Sequence, residues 1–287
     1  MSDVMSEAGS DIADRPTAGA ARSSRPKPES YLTNDRLLRV ARPVLLPTLT
    51  AGVLLSIWWA LASWADLPAV VLPHPADVWS ILKSNFPLLS THMWHTAYES
   101  TLGFLIAMVT GVSLAILITY SAVLREAFYP HLILFQLVPK VALAPLFVVW
   151  LGIGAPARLS FATFIAFFPL VIATAQGLTE VPPEMIRLSR SLSATRWQIF
   201  RTIRFPYAIP YIFAGMKISV TMAMIGIIVG EFIASQKGLG YLILFASSQA
   251  NTALILASVI LLCVVGLVQF GIVLALERAV RRVFGSD

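Results

Sequence analysis

Long apolar runs separated by short polar stretches dominate the chain. Six of them reach the length that crosses a hydrocarbon core of about 30 Å, which takes about 20 residues. They cover residues 44–64, 95–120, 127–151, 159–178, 210–230 and 253–276. Trp58, Trp59 and Trp64 lie in one half of the first run, as interfacial aromatics do. Between the first and second runs, Pro73, Pro75 and Pro87 break the pattern, and a short helix is expected after Pro75. Residues 235–252 are glycine-rich and polar at both ends, which predicts a surface or re-entrant segment. Residues 1–41 are polar and rich in Ser, Ala, Arg and Pro, and are expected to form a disordered tail, with a short helix near 35–42. The apolar run that follows is too long, and begins too late, for a signal peptide.

The polar stretch 180–215 differs from an ordinary inter-span loop. Pro182 and Pro183 suit a helix start, and Met185, Leu188 and Leu192 then fall on one helical face. Thr195, with Gln198 three residues on, fits a capping box that opens a second helix. That helix groups Ile199, Phe200 and Ile203, with Arg201 and Arg204 to the side. Phe205, Pro206 and Pro210 are expected to turn the chain into the fifth run. The result is a helix–turn–helix protrusion with an apolar face and an arginine flank. It suits two occupations: lying on anionic lipid, or docking against another protein.

Composition agrees with the pattern. The chain of 287 residues is 57% hydrophobic and 13% charged, against about 45–50% and about 25% in soluble domains. An all-α membrane protein of about six spans is predicted. The net charge of +6 is explained by topology. With the N-terminus inside, sixteen Lys and Arg fall on inside segments and three (Lys83, Arg158, Lys237) on outside ones, which places both termini and the 180–215 stretch in the cytoplasm. Nucleic-acid binding loses its support. The lone Cys263 excludes a disulfide framework.

Few residues carry chemistry. Lys140, between Pro139 and Pro145 in the third run, is a pathway candidate that faces the bundle interior or a wet cavity and attracts an anionic substrate, or else it snorkels to the interface. Glu231 ends the fifth run and is either part of an outer gate or a carboxylate in water or paired with Lys237. Lys217 is expected to snorkel to the interface. Glu99 follows His92 and His95 at metal-like spacing, but without a further His or Cys no metal site and no cofactor are expected. Gly226 and Gly230 permit close helix approach, within the chain or at a dimer seam. There is no phosphate-binding Gly-x4-Gly-Lys-Ser/Thr loop and no catalytic signature, so the chain is not expected to be an enzyme.

Several segments in order carry a family resemblance: LPHPADVW (72–79), PKVALAPLFVVWLGIG (139–154), FFPLVIATAQGL (167–178), PYAIPYIFAG (206–215) and GEFIASQKGLGYLI (230–243). From about Pro43 to Arg282 the chain resembles permease subunits of ATP-binding-cassette importers, in the branch for nitrate, sulfonates, taurine and thiamine-precursor pyrimidines. The 139–146 run leans toward the thiamine-precursor or riboflavin side. The resemblance implies a type I importer fold. Residues 42–282 would form the permease domain, with a cytoplasmic coupling loop at 179–206 and a C-terminal tail at 283–287. It further implies a bacterial inner membrane, a second permease copy, a separate ATPase subunit and an extracytoplasmic solute-binding protein.

Aligned on Ile203 and Pro206, the family's coupling-loop pattern puts Ser193 where it has glycine, and Arg187, Leu188 and Ser189 where it has Glu-Ala-Ala. Glu184 lies one turn earlier. The resemblance then places Leu192, Ser193, Ala194 and Thr195 at the turn that meets the ATPase, flanked by Arg187, Arg190 and Arg196. Serine adopts the positive φ open to glycine reluctantly, which leaves the shape of that turn open. A stand-alone secondary transporter is the alternative, but it would require repeated halves and deep carboxylates.

Overall fold

The computed structural model describes residues 30–64 and 68–284, with side chains described from residue 45 onward except for a few positions. The greater part of the expected disordered tail, and residues 285–287, lie outside the described residues. Eleven α-helices occur among them: α1 (Ser30–Trp64), α2 (Pro75–Ser84), α3 (Phe86–Tyr120), α4 (Ala122–Leu137), α5 (Ala144–Leu151), α6 (Ala155–Thr179), α7 (Pro183–Ser191), α8 (Arg196–Ile199), α9 (Phe205–Ala234), α10 (Leu239–Ser248) and α11 (Thr252–Phe284). No strand occurs among the described residues.

The chain divides into two units, Met1–Ile57 and Trp58–Asp287. In the first, the described helix presents Leu45, Leu46, Leu49, Val53, Leu54 and Leu55 as exposed apolar side chains, a surface suited to lipid. In the second, the end of α1 is tied to the following turn. Trp58 Nε1 donates to the Pro73 carbonyl (3.1 Å), and Ser63 Oγ lies 3.0 Å from His74 Nε2. The helix expected after Pro75 is α2.

The core of the second unit is the antiparallel pair α6 and α9, with α3 laid across both. These helices are long and apolar enough to cross a membrane, as are α11 and the 45–64 part of α1. Phe104, Leu170, Ile209, Phe213, Val220 and Val273 form the main packed cluster. Hydroxyls stitch the helices where no water is available: Ser219 Oγ donates to the Ala166 carbonyl (2.6 Å), and Thr163 Oγ1 to that of Gly103 (3.3 Å). Close approach depends on Gly226, where a Cβ would lie 2.6 Å from the Ala162 Cα. Gly230 likewise faces the Arg158 side chain. The Gly-xxx-Gly pair thus serves an internal seam between α6 and α9.

The third predicted span is not one straight helix. α4 and the 140–151 segment meet at a 90° bend. The break falls at Val138 and Pro139, both in extended or turn geometry, because proline disfavours helical conformation in the residue before it. The expected turn at Phe205–Pro206 is absent for a related reason. Phe200–Arg204 form one π-turn, in which the Phe205 N–H bonds the Phe200 carbonyl. The wider turn accommodates Pro206, which has no N–H to offer. α8, the π-turn and α9 consequently run on as one long helix.

Candidate functional site

Two polar constructions lie at opposite ends of the α6–α9 pair. The first joins the end of α6 to the start of the long helix. α7 ends in a Schellman turn: Ser193 N–H bonds the Arg190 carbonyl and Ala194 N–H that of Ser189, each at 3.0 Å. Ser193 supplies the left-handed residue, with φ +59°. The serine therefore takes up the conformation that glycine would adopt at lower cost. Two residues on, Thr195 and Gln198 form the expected reciprocal cap: Thr195 N–H donates to Gln198 Oε1 (2.7 Å) and Gln198 N–H to Thr195 Oγ1 (3.3 Å). The turn is locked on both sides.

The two apolar stripes separate. Ile199 is buried against the bundle, with Phe200 and Ile203 half-buried. Met185, Leu188 (64% exposed) and Leu192 (75% exposed) stay on the surface, a ridge of three large apolar groups on a polar element. Glu184 and Arg187 pair across one turn of α7 (3.1 Å) on the exposed surface. Arg190 and Arg196 line a cavity of about 310 Å³ beside the end of α3 and the start of α4. The structure thus places Glu184, Arg187, Leu188, Arg190 and the 192–196 turn on one projection.

The second construction lies at the start of α3 and α6 and the end of α9. Arg158 makes a bidentate pair with Glu99, Nε to Oε2 at 2.8 Å and Nη2 to Oε1 at 2.6 Å, and donates to the Ala234 carbonyl at 2.8 Å. Both side chains are buried. Glu231, 0% exposed, accepts from Thr96 Oγ1 (2.8 Å) and from the Gly240 N–H (2.7 Å). Thr96 Oγ1 in turn accepts from Leu239 N–H (2.8 Å), and His92 Nδ1 lies against the Gly238 N–H (2.9 Å). Gly238 has φ +105°, and a Cβ there would run into the Glu231 carboxyl group. Four elements are latched together: α3, α6, α9 and the start of α10, whose positive helix end meets a carboxyl group.

Glu231 is therefore neither in water nor paired with Lys237. One ligand atom each from His95, Glu99 and Glu231 lie within 4.8 Å of one another, and His95 Nδ1 has no hydrogen-bond partner. The Glu99 oxygens already face Arg158, and those of Glu231 face Thr96 and the Gly240 N–H. A cation would have to compete with a guanidinium, so the donor set fits an ion-paired latch better than a metal site.

Lys140 belongs to neither construction. It sits half-buried at the 90° break, donating to the Gln136 carbonyl (3.2 Å) with its ammonium over the Phe168 ring (5.6 Å). Phe168 is ten residues along α6 from Arg158, or about 15 Å at 1.5 Å per residue. Lys140 and Glu231 are thus not brought together. Lys217 reaches across to α11. It pairs with Glu277 (2.5 Å), which Arg281 also contacts (2.8 Å), pinning α9 to α11. Arg158, Thr96 and Gly238 were missed as site residues. Arg158 counts in sequence as a loop charge, and only its apolar surroundings, with Glu99 at the same end of another span, hinted at a partner.

Residues 101–282 match the family described as binding-protein-dependent transport system inner membrane component. The chain is 32% identical over 224 residues to a probable ABC transporter permease protein of Haemophilus influenzae, covering 78% of this chain and 91% of the relative. It is 33% identical over 250 residues to the riboflavin transport system permease protein RibX of Chloroflexus aurantiacus, covering 86% and 92%. Its fold is similar to an inward-facing structure of the MetNI methionine ABC transporter, with a TM-score of 0.55 at 21% identity, covering 67% of this chain and 97% of that one. The chain thus belongs to the binding-protein-dependent transport system inner membrane components, the permease subunits of ABC importers.

Proposed function

We propose that the 184–196 projection is the docking element through which a separate ATPase subunit drives this permease. The observation that carries the proposal is the exposed ridge of Met185, Leu188 and Leu192 on a turn held by the Ser193 Schellman motif and the Thr195–Gln198 cap. Large apolar groups on a rigid polar element favour insertion into a partner's groove. The π-turn makes α8 continuous with α9. A push on the projection would therefore travel along one rigid rod to Glu231 and the latch at the far end. Both termini and the projection face the cytoplasm of a bacterial inner membrane. The latch faces outward, toward a solute-binding protein, and a second copy of the chain completes the pathway.

The cargo on this reading is a small organic solute of the flat nitrogen-heterocycle class. The relationship to the riboflavin and formylaminopyrimidine permeases supports it. The test is co-purification of this chain with a co-expressed ATP-binding-cassette ATPase subunit. Leu192→Asp should abolish recovery of the ATPase while leaving the permease folded. A complex that forms at full strength and still transports with that substitution would refute the docking role.

A further inference from the structure

We propose that the arginine-lined cavity beside the projection is an oxyanion site for a phosphate group. The cavity, about 310 Å³, lies between the end of α3, the start of α4 and the underside of α7 and α8. Arg125, Arg190, Arg196 and Arg204 line it, together with Tyr120 and an apolar wall that includes Ile116, Ile186 and Ile199. Among the described residues, none of these four guanidiniums has a carboxylate within 4.0 Å or a side-chain hydrogen bond. This separates them from Arg158, Arg187 and Arg281, each of which is paired with a glutamate.

Arg125, Arg190 and Arg196 are exposed and Arg204 is half-buried, so water screens part of their mutual repulsion, and an anion between them would relieve the rest. A carboxylate offers two oxygens and satisfies one guanidinium fork. A phosphate offers several and can bridge two or more forks at once, the geometry in which arginine excels. The size is at the small end of ligand pockets, about 300–1,000 Å³, and the apolar wall accommodates a short carbon portion attached to the phosphate. The cavity sits at the end of α3 and just before the start of α9, and basic pockets between spans near the membrane surface recognise phospholipid headgroups. The phosphate has two possible sources, an anionic phospholipid or a soluble phosphate. The π-turn Phe200–Arg204 contributes both Phe200 and Arg204 to the site, so occupancy would be felt at the joint between the projection and α9.

The test uses the full chain without any ATPase, so its outcome is independent of the docking reading. Its thermal midpoint is measured in neutral detergent against inorganic phosphate, with sodium chloride at matched ionic strength as control. A parallel series uses nanodiscs of phosphatidylcholine with or without phosphatidylglycerol. One of the two probes should stabilise the wild-type chain. Stabilisation by phosphatidylglycerol alone assigns a lipid source, and by free phosphate alone a soluble one. Arg190→Gln combined with Arg204→Gln should weaken the effective probe at least tenfold, whereas Arg201→Gln, outside the cavity, should leave it unchanged. Arg190→Lys with Arg204→Lys keeps the charge and removes the forks. It should still lose several-fold, which covers the case in which the glutamine pair does not fold. The proposal is overturned if neither probe acts beyond chloride, or if Arg201→Gln weakens binding equally.

Discussion

Substituting Glu99 by alanine should be among the most damaging single changes to this chain. The structure allows its size to be reasoned out. Glu99 and Arg158 meet through two charge-assisted bonds of 2.6 and 2.8 Å, with side chains 5% and 8% exposed. Removing one partner of such a buried pair costs about 3–5 kcal/mol, because the other charge stays buried and uncompensated. Two features place Glu99→Ala near the lower end of that range. Arg158 keeps its bond to the Ala234 carbonyl, and it borders a cavity of about 370 Å³ that can admit water. An internal reference is available in Glu184–Arg187, an ion pair of 3.1 Å with both side chains 74% exposed. There Glu184→Ala should cost no more than about 1 kcal/mol.

The assay is equilibrium unfolding of the purified chain in mixed micelles by sodium dodecyl sulfate, comparing both alanine variants with wild type. Replacing both partners, Glu99→Leu with Arg158→Met, should recover most of the loss, since an apolar pair of similar volume can match a buried ion pair. If Glu99→Ala proves as mild as Glu184→Ala, the latch is solvated and its structural role falls. If the double replacement is worse than the single one, the charges do more than neutralise each other.

Other outcomes follow from the same geometry. Thr96→Val keeps the shape but strands Leu239 N–H and one Glu231 oxygen. It should cost about 2–3 kcal/mol and speed hydrogen exchange at the start of α10, whereas no local change there would contradict the bridging role of Thr96. Gly226→Val should separate α6 from α9, because its Cβ would meet backbone at 2.6 Å. Loss of folded protein on size exclusion is expected, and a monodisperse, stable variant would exclude the close seam. Ser193→Gly should relieve the left-handed serine and stabilise the projection by about 0.5–1 kcal/mol, read as slower proteolysis within 184–196. Faster proteolysis would mean that the serine side chain contributes something the glycine lacks.

Much of the architecture was legible in the residues because it depends on local rules. Span length follows from bilayer thickness, and the six apolar runs map onto five long helices and one broken pair. The Thr195–Gln198 cap is a contact between residues three apart, so its chemistry could be read from order alone. The same holds for the start of α2 at Pro75 and for the amphipathic pattern of α7. Features that combine distant segments were not legible. Residues 127–151 read as one span despite the proline at 139, and the 90° bend there depends on what packs around it. Proline at 206 announced an interruption, which the π-turn removed.

The charges divide in the same way. Sequence determined that the chain is a helical membrane bundle and how many lysines and arginines it carries between the apolar runs. It could not determine which charges are neighbours, because pairing across spans depends on helix rotation and on registers set by packing. Arg158 is 59 residues from Glu99, and Thr96 is 135 from Glu231. Tertiary structure alone turned these isolated polar residues into a buried latch. It also left four other arginines without a partner around one cavity, a distinction that no count of charges contains.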